Sequence, residues 1–215
     1  MDRTVIITGG SGGLGRAVVA EFVADGWRVV VFDLAVSELE GAEVVAVDLT
    51  DAEAVGRAVG AAAGDGAPLR AVVNLVGGFA ADQPVADTPV EVFEAQFRLN
   101  LRPTYLVTQA ALPLLAAAGG GSVVCFSSRA AVAPFAGAAG YVAANAAVLA
   151  FSRVVALEGI AGGVRCNAVL PRLMDTPANR AAGSEGGTAP ERVAEVVAWL
   201  CGDGSAAVTG AEIPV

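Results

Sequence analysis

The chain of 215 residues contains no histidine and no lysine, so all 13 of its basic residues are arginines. The missing lysine excludes Schiff-base chemistry on a side chain. The missing histidine excludes imidazole acid–base catalysis and histidine-based zinc sites. A proton donor that works near neutral pH must therefore be a tyrosine, cysteine, aspartate or glutamate. The two tyrosines of the chain are Tyr105 and Tyr141.

Cysteine is scarce, and acidic residues outnumber basic ones. Cys125, Cys166 and Cys201 are far apart and odd in number, so they form neither a CxxC pair nor a disulfide framework, and we expect no metal site. A net charge of −9 and a pI of about 4.4 argue against nucleic-acid binding through a basic face. The start lacks a signal-peptide pattern, and the apolar stretch 130–150 is interrupted by proline, glycine and asparagine. We therefore expect no membrane span and a cytoplasmic protein.

Hydrophobic residues make up 55% of the chain, which excludes intrinsic disorder. Apolar runs typical of buried strands alternate with stretches of helical spacing. The predicted strands are 4–8, 28–32, 44–47, 71–75, 122–126, 164–169 and 212–215. The predicted helices are 14–24, 52–63, 89–97, 99–117, 139–160 and 191–200, where 89–97 and 99–117 form one helix or two. This alternation predicts an α/β fold: one doubly wound Rossmann domain over 1–215, with helices on both faces of a seven-stranded parallel sheet. Near 178–190 we expect a short mobile substrate loop.

A glycine-rich turn joins the first predicted strand to the first predicted helix. Glycines let the backbone approach a diphosphate closely, and the N-terminus of the following helix offers its N–H groups to the negative charge. The turn therefore predicts dinucleotide binding. Its residues are Gly9, Ser11, Gly12, Gly13, Leu14 and Gly15.

Asp33 ends the second predicted strand, 18 residues after Gly15. A carboxylate at this position can accept hydrogen bonds from both hydroxyls of the adenosine ribose, and it repels a 2′-phosphate. Neither Gly12 nor Leu34 supplies a cation for such a phosphate. NAD is therefore favoured over NADP as the cofactor. A strand-end aspartate that only faces solvent is the alternative.

This turn is the first of several motifs that occur in order along the chain. They are TGxxxGxG at 8–15, Asp48-Leu49-Thr50, Asn74-Leu75-Val76-Gly77, Asn100, Ser128 and Tyr141 separated by 13 residues, Pro171 followed by Thr176, and Val208-Thr209-Gly210. On these motifs the chain resembles the short-chain dehydrogenase/reductase family over essentially its whole length. The resemblance implies hydride transfer between a nicotinamide cofactor and a small-molecule carbonyl or alcohol substrate. It also implies assembly as a homodimer or homotetramer.

The same resemblance implies a role for each matched residue. Tyr141 is then the general acid/base that protonates the carbonyl oxygen, Ser128 hydrogen-bonds that oxygen, and Asn100 holds a water of the proton relay. Asp48 contacts the adenine, and Thr176 contacts the nicotinamide carboxamide. The other implied cofactor positions are Leu34, Leu49, Asn74, Val76, Gly77 and Pro171.

Where the family's YxxxK motif has its lysine, this chain has Asn145. The family's lysine binds the nicotinamide ribose, and its charge favours the phenolate form of the tyrosine. An asparagine amide can still hydrogen-bond the ribose, but it is neutral. We therefore expect alcohol oxidation near neutral pH to suffer more than carbonyl reduction. A non-catalytic dinucleotide-binding sensor or interaction protein is the alternative function.

The substrate side is less informative. Candidate pocket residues by family position are Gly78, Phe79, Arg129, Phe135 and Met174, and ordinary core packing is the alternative for the apolar ones. Residues 76–79 and 170–180 resemble dihydropteridine reductase locally, so an enzyme of that type is a further alternative. The sequence does not identify the substrate.

Overall fold

Strands and helices alternate along the residues that the computed structural model describes, namely 2–64, 66–80, 83–183 and 186–215. The strands are β1 (Thr4–Thr8), β2 (Arg28–Asp33), β3 (Ala42–Ala46), β4 (Leu69–Asn74), β5 (Gly121–Phe126), β6 (Val164–Leu170) and β7 (Glu212–Pro214). The helices are α1 (Gly13–Ala24), α2 (Ala52–Gly64), α3 (Val90–Asn100), α4 (Arg102–Ala117), α5 (Ala139–Gly159), α6 (Pro177–Ala181) and α7 (Pro190–Cys201).

All seven strands of this part of the chain form one parallel sheet in the order β3-β2-β1-β4-β5-β6-β7. The chain winds outward from β1 in both directions, which confirms the predicted doubly wound Rossmann topology. Every residue of β1 is buried, as expected for a central strand covered on both faces.

Helices cover both faces of the sheet. On one face, side chains of α2, α4 and α5 such as Val59, Leu115 and Val148 pack on the strands. On the other, α1 and α7 pack through residues such as Phe22 and Val197. The two buried layers fix the sheet rigidly, so the loops at its carboxyl edge start from well-defined positions.

Two parts of the chain differ from the sequence-based expectation. The helix expected over 99–117 begins at Arg102. Leu101 lies between α3 and α4 and belongs to neither helix. The expected loop near 178–190 begins instead with the helix α6, whose N-terminus is capped by the Thr176 hydroxyl accepting from the Asn179 N–H at 3.2 Å. Ser184 and Glu185, which the predicted loop includes, lie outside the described residues.

The segment Ala139–Gly162, which includes α5, is long and apolar enough to cross a membrane by length and composition alone. Buried residues make up 44% of its most apolar window. Since α5 packs on β6 and on α3, it serves as a core helix of the fold, and core helices share this composition.

Candidate active site

The turn after β1 brings the N-terminus of α1 to the carboxyl edge of the sheet. Gly9 adopts a φ of +70°, and a Cβ on Gly15 would lie 2.2 Å from the Gly9 carbonyl oxygen. Only glycine therefore allows α1 to start this close to the strand. No side chain caps α1 at Gly12, and its first turn carries no acidic residue. The N–H groups at this helix end are suited to an anion.

The other residues of the turn contact neighbouring segments. The Ser11 hydroxyl lies 2.6 Å from the Ser37 hydroxyl, and Leu14 packs against the core. A Cβ on Gly13 would meet the Cβ of Thr176 at 3.0 Å. The turn after β1 and the segment after β6 therefore lie directly against each other, as expected if both contact one ligand.

Asp33 lies against the same turn. One carboxylate oxygen accepts from the Ser11 N–H at 3.1 Å, and the other accepts from the Leu34 N–H at 2.8 Å. These two bonds hold a negative charge beside the turn at the end of β2. The side chain of Leu34 is exposed.

A cavity of about 370 Å³ opens next to Asp33, between the ends of β2 and β3 and the helices α3 and α4. Its size and apolar character suit a planar ring such as adenine. The lining residues that the sequence analysis singled out are Asp33, Leu34, Asp48, Leu49, Thr50 and Val76. The sequence analysis missed Val47, which directly follows β3. It also missed Ala95, Arg98, Leu99 and Pro103, which the packing of α3 and α4 brings to the cavity.

Asp48 borders this cavity as a carboxylate. One of its oxygens accepts from the Thr50 hydroxyl at 2.7 Å and from the Thr50 N–H at 2.8 Å. These two hydrogen bonds lower the pKa of the Asp48 carboxyl below its ordinary value, with Arg102 adding a smaller effect. The side chain therefore remains ionised at neutral pH and can accept a hydrogen bond.

Side-chain hydrogen bonds fix the loop after β4. The Thr8 hydroxyl accepts from the N–H groups of Leu75 and Val76, at 3.0 and 3.2 Å. The Asn100 side-chain oxygen accepts from the Gly78 N–H at 3.0 Å. At Gly77 a Cβ would lie 2.8 Å from that same oxygen, so a larger residue would displace it. Asn100 thus holds this loop in place, a role that the sequence analysis did not assign.

Two buried amides hold the helices that flank this loop. The Asn100 side-chain nitrogen donates to the Gln96 carbonyl at 3.0 Å within α3. The Asn74 nitrogen donates to the Thr108 hydroxyl at 3.0 Å, which ties the end of β4 to α4. The sequence analysis missed Gln96 and Thr108, although a polar residue four positions from another on a helix is a usable signal.

Ser128 and Tyr141 lie on elements that a hydrogen bond holds together. The hydroxyl of Ser127, at the end of β5, donates to the Asn145 carbonyl at 2.9 Å, one turn after Tyr141 in α5. The Ser128 oxygen accepts from the Ala130 N–H at 3.1 Å. Because this bond uses only a lone pair, the Ser128 O–H remains available as a donor.

The side chain of Asn145 turns back onto its own helix. It is buried, and its nitrogen donates to the Tyr141 carbonyl at 2.9 Å. Position 145, which matches the lysine of the YxxxK motif, therefore carries a neutral amide bonded to the backbone of α5.

One aromatic ring packs against Tyr141, and a second packs against the first. The Phe79 ring stands edge-on to the Tyr141 ring, with centroids 5.0 Å apart, and lies 6.1 Å from the Phe135 ring. Both phenylalanines are at least half exposed, whereas Met174 is buried and belongs to the core. The two phenylalanines therefore remain substrate-pocket candidates, and core packing accounts for Met174.

Pro171 connects two segments of the candidate site through its backbone. Its carbonyl oxygen accepts from the N–H of Arg129 at 3.0 Å, which joins the segment after β6 to the segment after β5. Arg129 itself is half-buried. The predicted site residues that follow β1 to β6 thus all lie at the carboxyl edge of the sheet.

Comparison with known proteins identifies the family of this site. The model of the short chain dehydrogenase family matches residues 3–186. A 2-(R)-hydroxypropyl-CoM dehydrogenase of Xanthobacter autotrophicus is 31% identical over 99% of this chain and 96% of its own length. L-xylulose reductase of Bos taurus is 31% identical over 99% of this chain and 94% of its own.

Solved structures show the same likeness. A short-chain type dehydrogenase/reductase from Mycobacterium ulcerans superposes with a TM-score of 0.94 at 28% identity, over all of this chain and 88% of that one. ElxO, solved with NADP bound, shares the fold at a TM-score of 0.93 but only 22% identity. By contrast, the name of a 31% identical dehydrogenase of Sphingomonas, matched over 81% of this chain and 73% of its own, specifies NAD(+).

The family model covers most of the chain, and two relatives of 31% identity each span 99% of it. These matches agree with the sheet topology and with the glycine-rich turn at its carboxyl edge. The protein therefore belongs to the short-chain dehydrogenase/reductase family of nicotinamide-dependent oxidoreductases.

Proposed function

We propose that this protein is an NAD(H)-dependent oxidoreductase that reduces a carbonyl group, with Tyr141 as the acid and Ser128 as the hydrogen-bond donor to the carbonyl oxygen. The observation that carries the proposal is the Asp33 carboxylate held against the glycine-rich turn by the Ser11 N–H. It supports binding of a dinucleotide that carries a free adenosine ribose and no 2′-phosphate.

The residues at this edge of the sheet fit such a cofactor. The uncapped N-terminus of α1 would hold the diphosphate, and the cavity beside Asp33 and Asp48 would take the adenine. Thr176, which lies against Gly13, would contact the nicotinamide end. When bound, the reduced nicotinamide supplies the hydride.

The protein's own groups would position the carbonyl and supply the proton. Ser128 has its oxygen fixed by the Ala130 N–H, so its O–H can donate to the carbonyl oxygen. The Tyr141 hydroxyl would give its proton to that oxygen as charge develops there. The exposed Phe79 ring beside Tyr141, and the exposed Phe135 ring beside Phe79, favour a substrate with an apolar or planar body.

Asn145 supports a proposal on the favoured direction of the reaction. Reduction needs a protonated tyrosine, and no cation is required to keep it protonated. Oxidation needs the phenolate, which a neutral amide bonded to the helix backbone does not favour. We therefore propose carbonyl reduction as the favoured direction.

The test combines cofactor titration with activity in two tyrosine variants. NADH binding is followed by fluorescence, and turnover is measured on a carbonyl panel that includes a quinonoid dihydropterin, which also examines the alternative of a dihydropteridine-reductase-like enzyme. Tyr141→Phe should retain NADH binding and lose turnover. Tyr105→Phe is the matched control, since Tyr105 is an exposed residue of α4 that bonds to Gln109 on its own helix. Turnover that survives in Tyr141→Phe would show that another group is the acid.

A dinucleotide sensor without catalysis is the second candidate function. The observation that favours it is the buried neutral Asn145 in place of the lysine. Saturable NADH binding without turnover on any substrate of the panel, at any pH, would support the sensor. Turnover that depends on Tyr141 would exclude it.

A further inference from the structure

A second cavity, of about 340 Å³, lies at the opposite edge of the sheet from the glycine-rich turn. It is bordered by the amino-terminal ends of β1, β4, β5 and β6. Three of the chain's 13 arginines line it: Arg3 just before β1, Arg70 in β4 and Arg165 in β6. Parallel strands all begin at the same edge, so arginines near their starts are brought together. The volume suffices for a small organic molecule.

Positive charge exceeds negative charge in this cavity. Asp203 is the acidic side chain among the lining residues that the structure describes. Burial raises the pKa of the Cys201 thiol, also in the lining, to about 12, so Cys201 adds no negative charge at neutral pH. Three guanidinium groups and one carboxylate among the described lining residues give an excess of two positive charges, in a protein whose net charge is −9.

Two of the guanidinium groups are held in place by backbone carbonyls. The Arg70 side chain donates to the Ala118 carbonyl at 2.7 Å, at the end of α4. The Arg165 side chain donates to the carbonyls of Val208 and Gly202 at 3.3 and 3.2 Å. Each guanidinium has five N–H donors, so these bonds leave others for a ligand.

The third arginine and a hydroxyl complete the lining. The Arg3 guanidinium stacks on the Trp27 ring, 4.2 Å from its centroid. The Thr209 hydroxyl oxygen accepts from the Cys166 N–H at 3.1 Å and keeps its own O–H to donate. Burial is the main cause that lowers the pKa of Arg165, so an anion nearby would stabilise its charged form.

We propose that this cavity binds an organic phosphate, at a site separate from the dinucleotide. A phosphate monoester carries close to two negative charges at neutral pH, which matches the excess of positive charge. Arginine recognises phosphate oxygens through paired N–H groups. The cavity is larger than a phosphate ion, and Trp27, Ile160 and Val164 provide apolar walls for an organic body.

The experiment measures the binding of inorganic phosphate and of phenyl phosphate by titration calorimetry at constant ionic strength. Saturating NADH is present, so that phosphate does not bind at the glycine-rich turn. The native protein is compared with Arg3→Gln, Arg165→Gln and Arg57→Gln. Arg57 is the matched control, because it is exposed on α2 and pairs only loosely with Glu53 at 3.7 Å. Its replacement removes the same charge from another surface.

We expect phenyl phosphate to bind the native protein and Arg57→Gln saturably, and more tightly than inorganic phosphate. In Arg3→Gln its Kd should rise about tenfold or more, as expected for the loss of a charge-assisted hydrogen bond. Arg165 holds two backbone carbonyls, so the folding of Arg165→Gln is checked by thermal unfolding, and Arg3→Gln decides the result.

Equal Kd values in Arg3→Gln and Arg57→Gln would overturn the proposal, as would the absence of saturable binding to the native protein. The comparison does not depend on the proposed enzyme activity. If NADH fails to bind, both variants still keep the glycine-rich turn unchanged, so a difference between them still reports on the arginine-lined cavity.

Discussion

Asn145 lies one turn after Tyr141 in α5, and its amide nitrogen donates to the Tyr141 carbonyl. A lysine at this position would bring a positive charge close to the tyrosine hydroxyl, and a cation within about 4–6 Å favours the phenolate. We therefore expect Asn145→Lys to accelerate alcohol oxidation and to shift the plateau of its pH–rate profile about one to two units toward lower pH. Rates in both directions between about pH 6 and pH 10 measure this effect.

The control for this change is Asn145→Gln, which lengthens the side chain without adding charge. If charge is the cause, Asn145→Gln leaves the pH profile as in the native protein. Thermal unfolding of both variants shows whether the buried position accepts the longer side chain. A folded Asn145→Lys with native rates and a native pH profile would show that position 145 does not limit the chemistry.

Asp33 carries the prediction on cofactor preference. Its carboxylate accepts from the N–H groups of Ser11 and Leu34, and Asp33→Asn keeps an acceptor oxygen while removing the charge. We expect NADH to bind about three- to tenfold more weakly and NADPH to bind more tightly than in the native protein, because the repulsion of the 2′-phosphate is gone. Fluorescence titration with both cofactors measures the ratio.

Asp25→Asn makes the same change of charge at the other end of α1, where Asp25 is exposed after the last turn. It should leave the ratio of the two affinities unchanged. If the native protein binds NADPH more tightly than NADH, the assignment of Asp33 to the ribose is wrong.

Single residues show what a sequence can and cannot predict. The position of Asp33 follows from the end of β2, which the apolar run predicts. Its bond to Ser11 does not, because it depends on how the turn after β1 packs beside that strand. Likewise Asn100 is predicted by its motif, but its bond to the Gly78 N–H depends on the tertiary placement of α3. Residue types and positions can be read locally, whereas side-chain partners depend on packing.

At the level of elements, the start of α1 is where packing tolerates least change. A Cβ on Gly15 would lie 2.2 Å from the Gly9 carbonyl and 2.6 Å from the Gly10 Cα, both backbone atoms that cannot rotate away. We expect Gly15→Ala to destabilise the fold by about 1–3 kcal/mol, the range for overpacking, and to weaken NADH binding. Chemical denaturation and cofactor titration measure the two effects.

Gly60→Ala is the matched control in α2, where a Cβ on Gly60 meets no other atom within 4 Å. This exchange in a helix interior should stabilise the protein by up to about 1 kcal/mol. A Gly15→Ala variant as stable as Gly60→Ala would contradict the tight turn seen in the structure.

Elements also show a local signal that the sequence analysis overlooked. Thr176 followed by Pro177 is a capping residue followed by the residue favoured at the first helical position, and this pair begins α6. The glycines and alanines from 181 onward obscured it, because their composition is typical of a loop. The boundary between α3 and α4 is harder to predict from the sequence, because the apolar spacing continues through Leu101 without interruption.

The whole molecule uses the two edges of one sheet differently. At the carboxyl edge, Asp33 and Asp48 border the proposed cofactor site with negative charge. At the amino edge, Arg3, Arg70 and Arg165 concentrate positive charge in a protein of net charge −9. The strand order explains both, because parallel strands bring residues of similar position in each strand to the same edge. The sequence predicts this sheet, but the arginine-lined cavity depends on the helix ends that close it.

Assembly is the last prediction, and it rests on the helices α4 and α5. Apolar side chains remain exposed on and just after them: Tyr105 by 43%, Val154 by 49%, Leu157 by 70% and Ile160 by 65%. An exposed apolar surface of this kind on a long helix favours contact with another protein surface. We therefore expect a homodimer or homotetramer, with a mass in light scattering that is a multiple of 21.3 kDa.

The variant Val154→Arg/Leu157→Arg should dissociate this assembly, because it places two charges in the apolar surface. Val36→Arg is the control, since Val36 is 70% exposed in the loop after β2, away from both helices. It should leave the mass unchanged. A native mass of 21.3 kDa would refute the prediction. An oligomer that survives the double variant would place its interface on another surface.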